Sequence, residues 1–510
     1  DYLVEVYLTT KNYEAALKSI NKIKHPSTKI LEAKQDILFQ LGTQAFANVK
    51  LNDAVSLFSR AIQLGSYNME ARNDAYFWRG ESYYRMGEYE NAISDYRTYL
   101  NNTRQRNTDM YALAYYNLGY SYFKLRDYSA ALNRFRQYVD LESNQQAASL
   151  ADAYNRIGDC LYQNRQFSLA EENYSRAAQL SPSAGDYSIY QKGFLLGLQK
   201  DYRGKISAMD RLISEYPESQ YVDDALFEKG RSYVLLENSS SAAQAFEKLI
   251  REFPQSSLAR KAGIQLGLLY YNDNQPEKAL TAYKQVISNY PGSEEAKIAL
   301  QDLKSVYIDL NDINAYASYV NSIGGNIRLE VGEQDSLTYI AAEKLFMRGD
   351  NDGARRSLVN YLQTFPEGAF SSNANFYLGS IAFAKKEFDE AVQRFKSVIA
   401  SGDTKFLEES VARTAEIEYL GNDYPAALES FKRLQIVAEN PENKQAARLG
   451  IMRCALQTGQ QKDALLAADE LLKEPKLSPE LEAEARYVRA KAYIDQKQAN
   501  KALADLKELS

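Results

Sequence analysis

Few side chains in this sequence could do covalent chemistry. The 510 residues contain two cysteines, Cys160 and Cys454, and one histidine, His25. A nucleophilic thiol needs a base beside it, and a zinc site needs three or four converging nitrogen or sulfur donors. His25 stands in the loop-like stretch "KHPST", where it reads as a surface residue. No CxxC, HExxH, GxSxG or P-loop pattern occurs. Carboxylates are plentiful, and pairs such as Glu171-Glu172 and Asp223-Asp224 fall at positions expected to face solvent. A catalytic pair needs one carboxyl desolvated and both held at a fixed separation, and nothing singles out such a pair. No catalytic residue, metal or cofactor is therefore expected. The abundant chemistry is non-covalent: 40 tyrosines and 20 phenylalanines, which stack, fill volume and, for tyrosine, hydrogen-bond.

Those aromatics recur in register. "GLLYYNDNQPEKALTAYKQVISNYPGSEEA" (267 to 296) and "GRSYVLLENSSSAAQAFEKLIREFPQSSL" (230 to 258) share Gly, Tyr, Ala, an aromatic and Pro at matching offsets. Equivalent positions are Gly42, Gly80, Gly119, Gly158, Gly193, Gly230, Gly267, Lys304, Ala342, Gly379, Ala415, Met452 and Ala490. These thirteen repeats have a mean period of (490 − 42)/12, about 37 residues. "TKNYEAALKSI", before Gly42, reads as the second half of one more. In each unit the apolar residues follow two successive helical stripes, as in Tyr115, Leu118 and Tyr122, then Tyr128, Ala131 and Phe135. Pro276 and Pro425 suit helix starts, and Pro182, Pro217, Pro254, Pro291 and Pro366 are expected to stop second helices. Cys160 and Cys454 both fall two residues after the glycine position, a slot that wants a small packing residue, and a bond between them is not expected.

Composition agrees. Forty-five per cent of the residues are apolar and a quarter are charged, as in an ordinary water-soluble chain. No apolar run approaches the ~18 residues of a membrane helix. The net charge of −6 argues against nucleic acid. A length of 510 residues exceeds one core, and a two-helix unit must stack on copies of itself to bury its apolar face.

The pattern aromatic-x2-Leu-Gly-x2-Tyr…Ala-x3-Phe…Pro, almost complete in "YYNLGYSYFKLRDYSAALNRFRQYV" (115 to 139), resembles the tetratricopeptide repeat. The resemblance covers nearly the whole chain. It implies an all-α fold, a right-handed superhelical solenoid with a concave face lined by first helices. "YPESQYVDDALFEKG", "FPQSSLARKAGIQLG" and "FPEGAFSSNANFYLG" look like the linkers of periplasmic repeat proteins that assemble or maintain the outer membrane of Gram-negative bacteria. That resemblance implies a periplasmic location. The chain opens at Asp1 and reads as a piece of a longer protein, so a tether to the outer membrane would belong to an N-terminal segment outside it.

The register breaks at 304–337. There Lys304 replaces glycine, Tyr316 replaces alanine, and Gly324-Gly325 introduces the weakly strand-like "NIRLEVG". The expected organisation is an N-terminal array over 1–320, an irregular linker or hinge over 321–335 and a C-terminal array over 336–510. "NNTRQRNTD" (101 to 109) and "LESNQQAAS" (141 to 149) read as longer, exposed linkers.

First-helix residues flanking the packed stripe are expected to line a partner-binding groove. They include Phe39, Phe46, Phe77, Tyr84, Tyr116, Tyr120, Phe123, Tyr162, Tyr190, Phe194, Phe227 and Tyr271. Tyr120 and Phe194 follow the repeat glycine directly, at a slot where other repeats carry Glu81, Asp159, Arg231 or Thr43. They are expected to face a partner, while Tyr122 and Leu195 pack the scaffold. The Lys/Asn carboxylate clamp of chaperone-binding repeats is absent, since Asn155 alone does not make one. The expected function is a non-enzymatic scaffold that binds a protein segment, within cell-envelope assembly or maintenance. The alternative is a glycan- or peptidoglycan-binding module with tyrosines stacked on sugar rings.

Overall fold

The computed structural model describes residues 2–324, 327–402 and 405–509. Within them the chain forms 28 α-helices and one short 3-10 turn, with no strand among the described residues. The helices pair into antiparallel hairpins, and each hairpin packs on the next. The first pair, Tyr2–Thr9 and Tyr13–Ile20, completes the unit whose second half was read at 10–20.

Each hairpin turn is made the same way. Seven residues beyond the glycine slot the backbone enters the left-handed region: Val49, Gly87, Arg126, Arg165, Lys200, Glu237 and Asn274, and likewise through to Lys497. The following amide closes a Schellman bond, as from Asp127 N to Tyr122 O (3.0 Å) and from Gln166 N to Leu161 O (2.9 Å). Lys304, Ala342, Ala415, Met452 and Ala490 keep that seven-residue offset, so the thirteenfold register holds where glycine is lost. Asn68, Thr108, Asp127, Asp201, Asn238 and Asp423 cap helix N-termini with their side chains. The helices before Pro182, Pro217, Pro254, Pro291 and Pro366 end two residues ahead of each proline, because the residue before proline is driven out of the helical region.

Inside most hairpins that carry the slot glycine it meets an aromatic ring sixteen residues on, and Gly193 meets Met209 there instead. A methyl added at Gly42, Gly119, Gly158, Gly230 or Gly379 would lie 2.5–2.9 Å from Phe58, Phe135, Tyr174, Phe246 or Phe395. These rings are fully buried, so absence of a side chain on the first helix is what admits a ring from the second. Cys160 and Cys454 are likewise buried, and burial pushes their thiols up to about 12 and about 11. They are packing residues.

The chain divides into two compact units, Asp1–Leu269 and Tyr270–Ser510. The division lies within the Ser257–Asn272 helix, ahead of the 321–335 segment expected to part the arrays. The Glu294–Asp309, Ile313–Ile323 and Val331–Met347 helices still touch one another across that segment, although less extensively than elsewhere. The strand-like reading of 326–332 is not met: 327–330 carries no regular structure and Val331 opens a helix. Gly325 and Asn326 lie outside the described residues.

Candidate functional site

In the first unit the Asp109–Lys124, Ala148–Gln163 and Asp186–Leu198 helices are the first helices of three successive hairpins. Phe123, Tyr162, Tyr190 and Phe194 come together there around a pocket of about 340 Å³, with Arg156 and Asp159 in its wall. The ions are held by tyrosines. Asp159 sits 2.7 Å from an Arg156 guanidinium nitrogen and accepts hydroxyls from Tyr174 and Tyr187, each at 2.7 Å. Asp152 accepts hydroxyls from Tyr116 (2.8 Å) and Tyr120. The Arg156 guanidinium lies 4.9 Å from the Tyr187 ring centre and 5.8 Å from that of Phe123, within cation–π range. Burial raises the Asp159 pKa against the opposing pull of Arg156, Tyr187 and Tyr174. Burial also raises Tyr116, Tyr120 and Tyr187, with Asp152 or Asp159 adding to it, so these hydroxyls stay donors.

The other wall continues the pattern. Tyr190 stacks on Tyr221 at 5.3 Å and meets Phe194 edge-on at 5.0 Å. The Lys205 ammonium lies 4.7 Å from the Phe194 ring centre and pairs with Glu228. Arg156 and Lys205 are thus ion-paired with their carboxylates, although the buried Arg156 Nε and Asp159 Oδ2 have no hydrogen-bond partner, and the pocket presents aromatic faces beside these paired charges.

The remaining expected groove residues scatter. Phe77 is core, not groove: it is 2% exposed and enclosed by Trp78, Tyr96 and Tyr99. Tyr84 is half-buried against Tyr89, and Phe227 against Phe246. Tyr271 belongs to the second unit and donates its hydroxyl to Asp309. The contrast expected between Tyr120 and Tyr122 also differs. Tyr120 is half-buried, lies edge-on to Phe135 at 5.2 Å and has its hydroxyl committed to Asp152. Tyr122 is half-buried as well, packed against the clusters of two neighbouring hairpins. Leu195 is buried as expected. Asp223 and Asp224 are not a solvated pair: Asp223 accepts from Ser256 at 2.7 Å and Asp224 from Tyr190. Asn155 is buried and accepts from Ser188 of the next hairpin at 2.9 Å.

The network around Arg156 was not foreseen, yet a signal for it existed. In two of the three repeats that pair the slot glycine with a second-helix tyrosine, the residue after the glycine is an acid that accepts its hydroxyl; in the third, Leu268 follows Gly267 and Tyr283 bonds Asp302 instead. Tyr96 bonds Glu81 at 2.8 Å, and Tyr174 bonds Asp159. Where the ring is Phe135, the same slot carries Tyr120, which covers it. Among the described residues no group of three or more His, Cys, Asp or Glu could hold a metal ion, and no helix is long and apolar enough to cross a membrane.

A family model for the tetratricopeptide repeat matches residues 39–109, 116–185 and 341–404, and a second such model matches 187–219. A model described as an outer membrane lipoprotein matches 223–301. No curated protein matches the sequence. Similar solved structures include the C-terminal part of a repeat-containing protein from Cytophaga hutchinsonii, at 19% identity over 51% of this chain and 99% of that one, with a TM-score of 0.43. A tetratricopeptide repeat protein from Parabacteroides merdae matches at 16% identity over 53% of this chain and 98% of that one, with a TM-score of 0.37. YrrB, described as a repeat protein with an unusual peptide-binding site, matches at 23% identity over 40% and 96%, with a TM-score of 0.32. The chain carries tetratricopeptide repeats, matched by family models in both of its compact units.

Proposed function

We propose that this repeat scaffold seats a segment of a protein partner on the first-helix face of its first unit, and that it does so non-enzymatically in the cell envelope. The observation that carries the reading is the pocket of Phe123, Tyr162, Tyr190 and Phe194, whose walls are fixed by the Arg156 network. Aromatic side chains held in place are efficient anchors, because little ordering cost remains when a partner arrives. The outer membrane lipoprotein match over 223–301 supports a periplasmic, outer-membrane-associated setting. A photocrosslinking residue at Gln163, exposed beside the pocket, tests both parts in the native cell. One envelope protein should be captured, and Tyr162→Ala should abolish its capture. Crosslinks spread over unrelated proteins and indifferent to Tyr162→Ala would refute the reading. The Gln163 and Gln191 amides beside tyrosine faces favour a second reading, a glycan site. Tyr162-dependent retention on purified peptidoglycan would select it.

A further inference from the structure

A second pocket, of about 450 Å³, opens between the first turns of the Met69–Met86 helix and the linker that follows the Tyr89–Asn102 helix. It exists because the linker at 103–108 is long enough to form a wall. Met69, Tyr76 and Met110 give it apolar surface. Asp74 and Glu70, one helical turn apart, give it two carboxylates.

Asp74 stands apart from the other shielded carboxylates. Asp95 is gripped by Arg79, Asp159 by Arg156, Glu228 by Lys205, Glu418 by Lys396 and Asp505 by Arg489. Asp335 accepts a tyrosine hydroxyl and a backbone amide. Asp74 is half-buried, yet it has neither ion pair nor hydrogen-bond donor among the described residues. Burial and the Glu70 charge together push it up to about 6. The nearby cations do not serve it. Arg72 donates to Ile62 O at 3.1 Å and lies over the Tyr76 ring, and Arg104 is exposed on the linker without an ion pair. The other titratable groups lining the pocket are Tyr76 and Tyr99. In the same wall the Oδ1 of Asn73 is shielded and lacks a donor, while its Nδ2 is spent on Tyr99 O and Thr103. A carboxylate taken from water without a partner is costly unless a cation completes it. An apolar wall leading to that carboxylate suits an aliphatic stem with a charged head.

We propose that this pocket binds a cationic side chain, an ammonium or guanidinium on an aliphatic stem, presented by a protein segment and completing the ion pair at Asp74. The site is separate from the aromatic pocket and stands or falls without it.

The test uses the full chain and three probes: a labelled single-lysine peptide, the same peptide with norleucine in place of lysine, and spermidine. The lysine peptide should bind and the norleucine peptide should not. Asp74→Asn should weaken the lysine peptide about tenfold or more, the scale of one charge-assisted bond. Asp140→Asn, at an exposed acid elsewhere, should leave it unchanged. Binding should also weaken as pH falls from 7 to 5, because protonated Asp74 offers no charge. Arg104→Ala should leave binding intact or strengthen it. Equal binding to wild type and Asp74→Asn, or no lysine-peptide binding to either wild type or Arg104→Ala, overturns the proposal. Asp74-dependent binding of spermidine alone assigns the pocket to a free polyamine and overturns the protein source.

Discussion

Gly158→Ala and Gly80→Ala change the same repeat position, and they should behave oppositely. A methyl at Gly158 would lie 2.6, 2.8 and 2.9 Å from three carbons of the Tyr174 ring. Ordinary carbon contacts are about 3.5–4.0 Å, so the ring must retreat by roughly 1 Å. It has nowhere to go: Tyr174 is 1% exposed and its hydroxyl is tied to Asp159. Overpacking of this kind costs about 1–3 kcal/mol, and weakening a bond to a charged acceptor adds to it. The better helix propensity of alanine returns only about 1 kcal/mol. At Gly80 the added methyl would lie 3.3 Å from Asp95 and Tyr96. A shift of a few tenths relieves that contact, so propensity decides and the change should be neutral or stabilising by up to about 1 kcal/mol. The expected gap is about 2 kcal/mol, roughly thirtyfold in an equilibrium. Repeat arrays open in parts, so a single melting midpoint is a poor readout. Hydrogen exchange within the full chain is the better assay. Amides of the Phe167–Leu180 helix should lose protection in Gly158→Ala, and those of the Tyr89–Asn102 helix should not in Gly80→Ala. Equal protection in the two variants would refute the account of the glycine slot.

Val49 is 70% exposed with φ of 60°, a conformation that costs a β-branched residue more than glycine. Val49→Gly should stabilise the first unit by about 0.5–1 kcal/mol, read by urea denaturation. Asp74 has its folded pKa raised from 3.8 to about 6, so the folded state binds more protons than the unfolded state between those values and wild-type stability falls as pH rises through that window. Two units would be about 3 kcal/mol, which solvent screening of a half-buried group cuts to about 1–2. Asp74→Asn should therefore flatten the profile from pH 4 to 6.5 and be the more stable protein at pH 7, and parallel profiles would contradict this. Tyr120→Ala should cost about 1–3 kcal/mol, because it uncovers Phe135 and removes a donor to Asp152. A loss within the ±0.5 kcal/mol of ordinary surface changes would restore Tyr120 to the free surface.

The repeat register could be read from the sequence because packing repeats. A bare backbone at one slot and a ring sixteen residues later recur in seven of the thirteen repeats, often enough to set the register, and prolines mark second-helix ends for steric reasons. Which flanking aromatics stay accessible could not be read that way, because it depends on neighbours outside the repeat. Phe77 and Tyr116 occupy the same slot, three before the glycine. Phe77 has no polar atom and three aromatic neighbours, so it is buried completely. Tyr116 must satisfy a hydroxyl, finds Asp152 on the following hairpin and stays at the edge. The sequence shows where the motif degenerates, at 304–337, whereas contact depends on whether helices still meet across the degenerate stretch.

The two pockets of the first unit differ in what they leave unsatisfied, and that difference bears on recognition. Around Arg156 the variation between repeats is compensated. Two carboxylates meet one guanidinium and four tyrosine hydroxyls, and three successive first helices are tied together. The result is a stiff wall whose charges are ion-paired, with only Arg156 Nε and Asp159 Oδ2 left without a hydrogen-bond partner, so a partner there would be selected mainly by shape and by aromatic contact. At Asp74 the variation is not compensated: the acid is shielded and no donor meets it. A partner there would be selected by charge, and its hold would weaken in acid. A segment that used both pockets would need an apolar or aromatic residue for one and a basic residue for the other. Neither requirement follows from the repeat motif, which specifies only the positions that pack. Recognition is written in the slots where the motif is silent, and an unpaired polar atom marks such a slot more sharply than an aromatic does.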